Sequence, residues 1–98
     1  MLGAPVIIND STVSINDSRF RQTGRWYMTA IVQDKPDTNA GILETIRYSE
    51  SRIMQRYTRL SAPSTQYPDA IPTVYVRTVA STSEEFTKWA VLTGTVVT

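Results

Sequence analysis

Cysteine and histidine are both missing from the 98 residues. Without cysteine there is no disulfide, no thiol nucleophile and no thiolate metal site, and the redox compartment stays open. Without histidine the chain lacks the commonest proton shuttle and metal ligand near neutral pH. Serine and threonine are plentiful, yet no histidine or suitably placed lysine is present to activate one of them. A glycine-rich phosphate loop and a nucleophile elbow are also lacking. The Asn-Asp turns are not part of a D-x-D-x-D-G loop, so calcium is not expected. These gaps point to a protein that is not an enzyme, with no cofactor, no metal and no small-molecule substrate.

Long apolar runs are missing too, and none approaches the length of a membrane span. The opening "MLGAPVIIND" has neither a basic start nor a long apolar centre, so it does not read as a signal peptide. The expectation is cytoplasmic synthesis and no membrane partner. The net charge of +1 sets up no global field toward nucleic acid or anionic lipid. Lysine is scarce: of ten basic residues only Lys35 and Lys88 are lysines, and the rest are arginines. Arginine favours bidentate ion pairs, aromatic stacking and interfaces. A chain of this length makes one domain, 1–98, with a modest core.

What is present reads first as short strands. The apolar run at 6–8 is one, and residues 12–15 are another. They are punctuated by two Asn-Asp-Ser trios, at 9–11 and 16–18, whose short polar side chains favour turns. Gln22-Thr23-Gly24 is a further turn signal. Residues 26–33 give the strongest strand pattern: Trp26, Met28, Ala30 and Val32 alternate with Tyr27, Thr29 and Ile31. Both faces of that stretch are largely apolar.

Pro36 ends it, and Asp37, Thr38 and Asn39 are competent helix caps. From about 40 to 60 the apolar residues Ile42, Leu43, Ile46, Ile53, Met54, Tyr57 and Leu60 fall within an arc of about 120° on a helical wheel. Residues 61–72 form a loop with three prolines, and 73–80 form a second strong strand. The stretch 83–93 carries a capping-box pattern that argues for a short helix, closed by Gly94 before a strand at 95–98. Its threonines and valines argue instead for a strand. The expected fold class is therefore α+β: a small antiparallel sheet of four to six short strands, one long amphipathic helix (about 40–60) packed on one face, and a short second helix near the C-terminus in competition with a strand.

Two constellations stand out. Glu50 falls inside the apolar arc of the expected helix, where an unpaired carboxylate is costly. It is read as half of a buried ion pair with Arg47, Arg25 or Arg77, as an interface residue, or as a catalytic acid or base. The last is disfavoured because no second carboxylate lies at helical spacing. The other constellation is basic. Arg52, Arg56 and Arg59 share a helical spacing, while Arg19, Arg21 and Arg25 interleave with Phe20 and adjoin Trp26. Such a set is a solvated face, a protein interface or a nucleic-acid surface. Asp10, Asp17, Asp34 and Asp37, all in turns, offer an acidic edge that could face the arginines of a second copy.

One helix cannot cover both sides of so apolar a sheet, so a second copy of the chain is expected to supply the missing layer. Trp26 and Met28 are the residues expected at that contact. The function expected is a non-catalytic, self-assembling structural subunit, a phage- or virus-type particle component such as a coat, decoration or tail protein, with the virion as its destination. The alternatives are a small nucleic-acid-binding module using the arginines and aromatics, and an inhibitor-type protein that binds a host protein.

Overall fold

The computed structural model describes residues 4–60, 73–79 and 85–92. Among these described residues six strands form one sheet in the order of the chain: β1 (Val6–Ile8), β2 (Gly24–Met28), β3 (Gly41–Ser49), β4 (Arg52–Arg59), β5 (Thr73–Thr78) and β6 (Ala90–Leu92). The first pair is parallel and the other four are antiparallel. A parallel neighbour cannot be reached by a tight turn, so the chain must cross over the sheet between β1 and β2. Residues 9–23 make that crossing, with a single 3-10 turn at Ser18–Arg21. Residues 29–40, between β2 and β3, lie against the crossing through a parallel bridge from Ser14 to Gln33.

These two connections are the covering layer. Val13, Ile15, Phe20 and Val32 pack from it onto Met28, Leu43 and Tyr57 of the sheet, and all seven are buried. Each such side chain contributes about 1.5–3 kcal/mol by leaving water. The turns expected at the Asn-Asp-Ser trios shape the crossing. The Asp10 carboxylate accepts from the Thr12 amide at 2.8 Å, and that of Asp17 from the Arg19 amide at 3.0 Å. Asp34 turns the second connection with a positive φ of 63°, which its short polar side chain tolerates, and accepts from the Ser14 hydroxyl.

The expected α+β architecture is not formed, and neither is the helix at 40–60. Those residues make the long central hairpin β3–β4, turning at Glu50-Ser51 between the paired Ser49 and Arg52. A bulge between Arg47 and Ser49 leaves Tyr48 as the extra residue. Three features favour the hairpin over the helix. Its composition is rich in β-branched and aromatic residues: Ile42, Thr45, Ile46, Tyr48, Ile53, Tyr57 and Thr58. Ser49-Glu50-Ser51 supplies turn chemistry at its middle. Gly41 must be a glycine, because a Cβ there would stand 2.6 Å from both the Thr58 carbonyl and the Tyr57 ring. The ring therefore lies directly over the β3 backbone, and its hydroxyl donates to the Asn39 carbonyl at 2.7 Å.

Other expectations shift by smaller amounts. Strands at 6–8 and 73–78 form where expected, and Val79 adds a bridge to Phe86. The strand at 26–33 stops at Met28; Val32 belongs to the covering layer. Residues 12–15 keep only the bridge at Ser14. No helix forms over 85–92, where β6 pairs with β5. The loop at 61–72 and the strand at 95–98 lie outside the described residues.

Candidate interaction face

Side chains alternate across the strands, so every position belongs to one of two sheet faces. The face under the covering layer holds the row Trp26, Leu43, Tyr57 and Tyr75, linked through the strand registers. Phe20 meets the Trp26 ring edge-on, with centroids 5.1 Å apart. The next row on the same face is Gly24, Thr45, Gln55 and Arg77, polar or small throughout. Thr45 and Gln55 are 2 % and 0 % exposed, and Arg77 is 7 %.

That polar row is held by a chain of hydrogen bonds. The Thr45 hydroxyl and the Gln55 amide both donate to the Phe20 carbonyl, at 2.7 and 2.9 Å. Arg77 Nε donates to the Gln55 carbonyl oxygen at 2.8 Å, and Nη1 to the Asn16 side chain at 2.9 Å. Among the described residues Arg77 has no carboxylate partner. Its guanidinium instead lies 4.0 Å from the Phe86 ring centre and 4.2 Å from that of Trp89. Burial first, and then the nearby Arg21 charge, lower its pKa to about 10. The arrangement ties 85–92 to the sheet by cation–π attraction.

At the other end of the same face, Asp37 gathers the 33–40 connection. Its carboxylate accepts from the Tyr75 hydroxyl at 2.7 Å and the Asn39 amide at 2.9 Å, and lies 3.5 Å from Arg59 Nη1. Burial pushes the carboxyl up. The bonds from Tyr75 and Asn39 and the Arg59 charge outweigh it, and hold the pKa below the ordinary value of 3.8. Lys35 donates to the Ala30 and Val32 carbonyls, and burial lowers its pKa. These groups are engaged in holding loops.

The opposite face has no covering layer among the described residues. One row crosses all six strands: Ile7, Tyr27, Ile42, Thr58, Val74 and Leu92. The next reads Arg25, Glu44, Arg56, Val76 and Ala90, with Arg56 Nε donating to Glu44 at 3.1 Å. Beyond it Ile46 stands opposite Met54, 60 % and 46 % exposed, and Tyr48 at the bulge is 91 % exposed. The Ile46–Met54 pair separates two hollows. One, of about 470 Å³, is bounded by Tyr48, Arg52 and Thr78. The other, of about 280 Å³, is bounded by Glu44, Arg56, Val76 and Leu92. At strand and residue spacings of about 4.8 and 3.4 Å the face spans about 24 by 20 Å. That footprint is of the same order as the roughly 800 Å² of accessible surface each partner buries in a stable complex.

The residues singled out from sequence are scattered by this fold. Glu50 is not buried: it sits in the hairpin turn, its side chain 75 % exposed and 3.9 Å from Arg47. The question of a charge inside an apolar stripe dissolves with the helix. Met28 is fully buried and Trp26 half-buried beneath this chain's own covering layer, so neither presents itself to a second copy. Arg25, Arg52 and Arg56 share the open face, while Arg59 points to the other side, toward Asp37. Arg19 pairs with Asp17 at 3.3 Å, and Arg21 stacks 5.0 Å over Phe86. Ile46 and Met54, placed by sequence in the buried stripe of the expected helix, were missed as surface residues.

No family model, curated protein or solved structure matches the chain.

Proposed function

We propose that the chain is a non-catalytic, self-assembling structural subunit, a component of a phage- or virus-type particle in the manner of a coat, decoration or tail protein. The observation that carries the reading is the open sheet face, where an apolar row crosses six strands and Ile46, Met54, Tyr48 and Leu92 stand in solvent. Apolar side chains exposed on both sides of the charged row Arg25, Glu44 and Arg56 form a mixed surface of the kind that marks an interaction site. The contact moves from the Trp26 side expected from sequence to the Tyr27, Ile42, Ile46 and Met54 side. Light scattering on the purified chain tests the reading: mass rises with concentration in the wild type and stays at one chain in Met54→Lys. A wild type that remains monomeric at high micromolar concentration contradicts it.

A second reading, single-stranded nucleic acid, is favoured by one observation: Tyr48 is almost wholly exposed on the face that also carries Arg25, Arg52 and Arg56. Stacking on tyrosine beside arginine is how such strands are held. Salt-sensitive binding of a labelled oligonucleotide, weakened in Tyr48→Ser and Arg56→Gln, would support it. No binding at low salt would remove it.

A further inference from the structure

We infer that the face under the covering layer holds, between the Arg77 guanidinium and the Trp89 indole N–H, a site for one small, weakly hydrated anion of chloride's class. Two donors carry the inference. Among the described residues, Arg77 Nη2 and Trp89 Nε1 are the buried side-chain donors without a hydrogen-bond partner. They belong to one cluster, because the Arg77 guanidinium carbon lies 4.2 Å from the Trp89 ring centre. Arg77 is 7 % exposed, and its other donors are committed: Nε to Gln55 and Nη1 to Asn16. Both acceptors are neutral. The Phe86 and Trp89 rings attract the guanidinium charge. A ring face, however, accepts an N–H only weakly. Arg77 is thus a buried cation with one donor unmatched, beside a second unmatched donor.

A buried polar group is costly without a hydrogen bond, and a buried charge is costlier without a counter-charge. A water would satisfy the two donors and leave the charge uncompensated. An anion answers both. Among the described residues the charge that bears on Arg77 is a second cation, Arg21, whose guanidinium lies 5.0 Å from the same Phe86 ring. Arg21 has further contacts of its own, and only its charge enters here. Burial sets the size of the ligand. Neither donor atom is open to solvent, so the anion must shed its water to reach them. Fluoride, sulfate and phosphate hold their water too tightly for that exchange, whereas chloride, bromide and nitrate release it. Entry runs under 85–92, which the three pairs of β6 and the ring contacts hold to the sheet. So short an edge opens locally more readily than the central hairpin.

Anion exchange at fixed ionic strength tests the site. Sodium chloride replaces sodium gluconate, whose anion is too large to enter, and the urea midpoint is read at each step. The wild type should gain stability that saturates. Its folded-to-unfolded ratio should rise about tenfold once chloride reaches roughly ten times its dissociation constant. Arg77→Met keeps bulk against the rings, loses the donors and should show no gain. Trp89→Phe keeps a ring beside the guanidinium and loses one donor, so saturation should move to higher chloride. This milder variant decides the matter where Arg77→Met does not fold. The Trp89 indole N–H resonance, identified by its loss in Trp89→Phe, should shift with chloride along the wild-type stability curve, while that of Trp26 stays in place. A wild type whose midpoint and indole resonance ignore chloride overturns the proposal and leaves water as the acceptor. An equal gain in the wild type and in both variants also overturns it, because screening by salt needs no site.

Discussion

Each face of this sheet carries one set of residues that runs against the usual relation between polarity and burial. Under the covering layer lie Thr45, Gln55 and Arg77, at most 7 % exposed. On the open side stand Ile46, Met54 and Tyr48, all exposed. Polar groups tolerate burial when every one finds a partner, and here the Phe20 carbonyl, Asn16 and the Phe86 and Trp89 rings supply most of them. Apolar groups tolerate exposure on a monomer at a cost that association can offset. The inside face thus holds a hydrogen-bonded polar row, and the outside face leaves large apolar side chains in solvent.

The largest way to break the comparison is to remove the guanidinium from the inside face. Arg77→Ala strands the Gln55 and Asn16 acceptors and unstacks Phe86 and Trp89. It should cost about 3 kcal/mol or more, read as a lower urea midpoint. Arg77→Met keeps the bulk against the rings and should recover part of the loss. Gly41→Ala forces a methyl into the Thr58 carbonyl and the Tyr57 ring, and about 2 kcal/mol is expected from thermal melts.

Smaller changes sharpen it. Tyr75→Phe removes one hydrogen bond to Asp37 and should cost about 1 kcal/mol. The same carboxylate predicts a pH response. Its pKa is lower in the folded chain than the ordinary 3.8, so in acid the unfolded chain binds more protons. The stabilisation is full above pH 3.8 and is lost as pH falls through the folded pKa. Denaturation titrations should show a smaller acid loss in Asp37→Asn than in the wild type. On the open face, Ile46→Lys should change monomer stability by no more than about 0.5 kcal/mol, while abolishing the rise of mass with concentration.

The same exceptions explain what could be read from sequence. Strands at 6–8 and 73–78 were legible because nothing competes with them: each is a short run with strong β-formers. The two Asn-Asp-Ser turns were legible because their carboxylates act on the backbone two residues ahead. The central hairpin was not. With Thr45, Gln55 and Arg47 on its inner side and Ile42, Ile46 and Met54 on its outer side, the apolar residues do not alternate with a period of two. What remained was an accidental helical spacing. The β-branched content and the Ser49-Glu50-Ser51 turn were the better signals. The arginines could be picked out as a set, but strand geometry divides them between faces, keeping Arg25, Arg52 and Arg56 together and sending Arg59 to Asp37.

Two methionines allow both faces to be read in one experiment. Met28 is fully buried by the covering layer, and Met54 is 46 % exposed on the open face. Sulfoxide formation under dilute peroxide follows exposure. At nanomolar protein Met54 should oxidise quickly, and at high micromolar protein slowly, while Met28 stays slow at both. A Met54 rate that does not change with protein concentration would contradict the claim that copies of the chain cover this face.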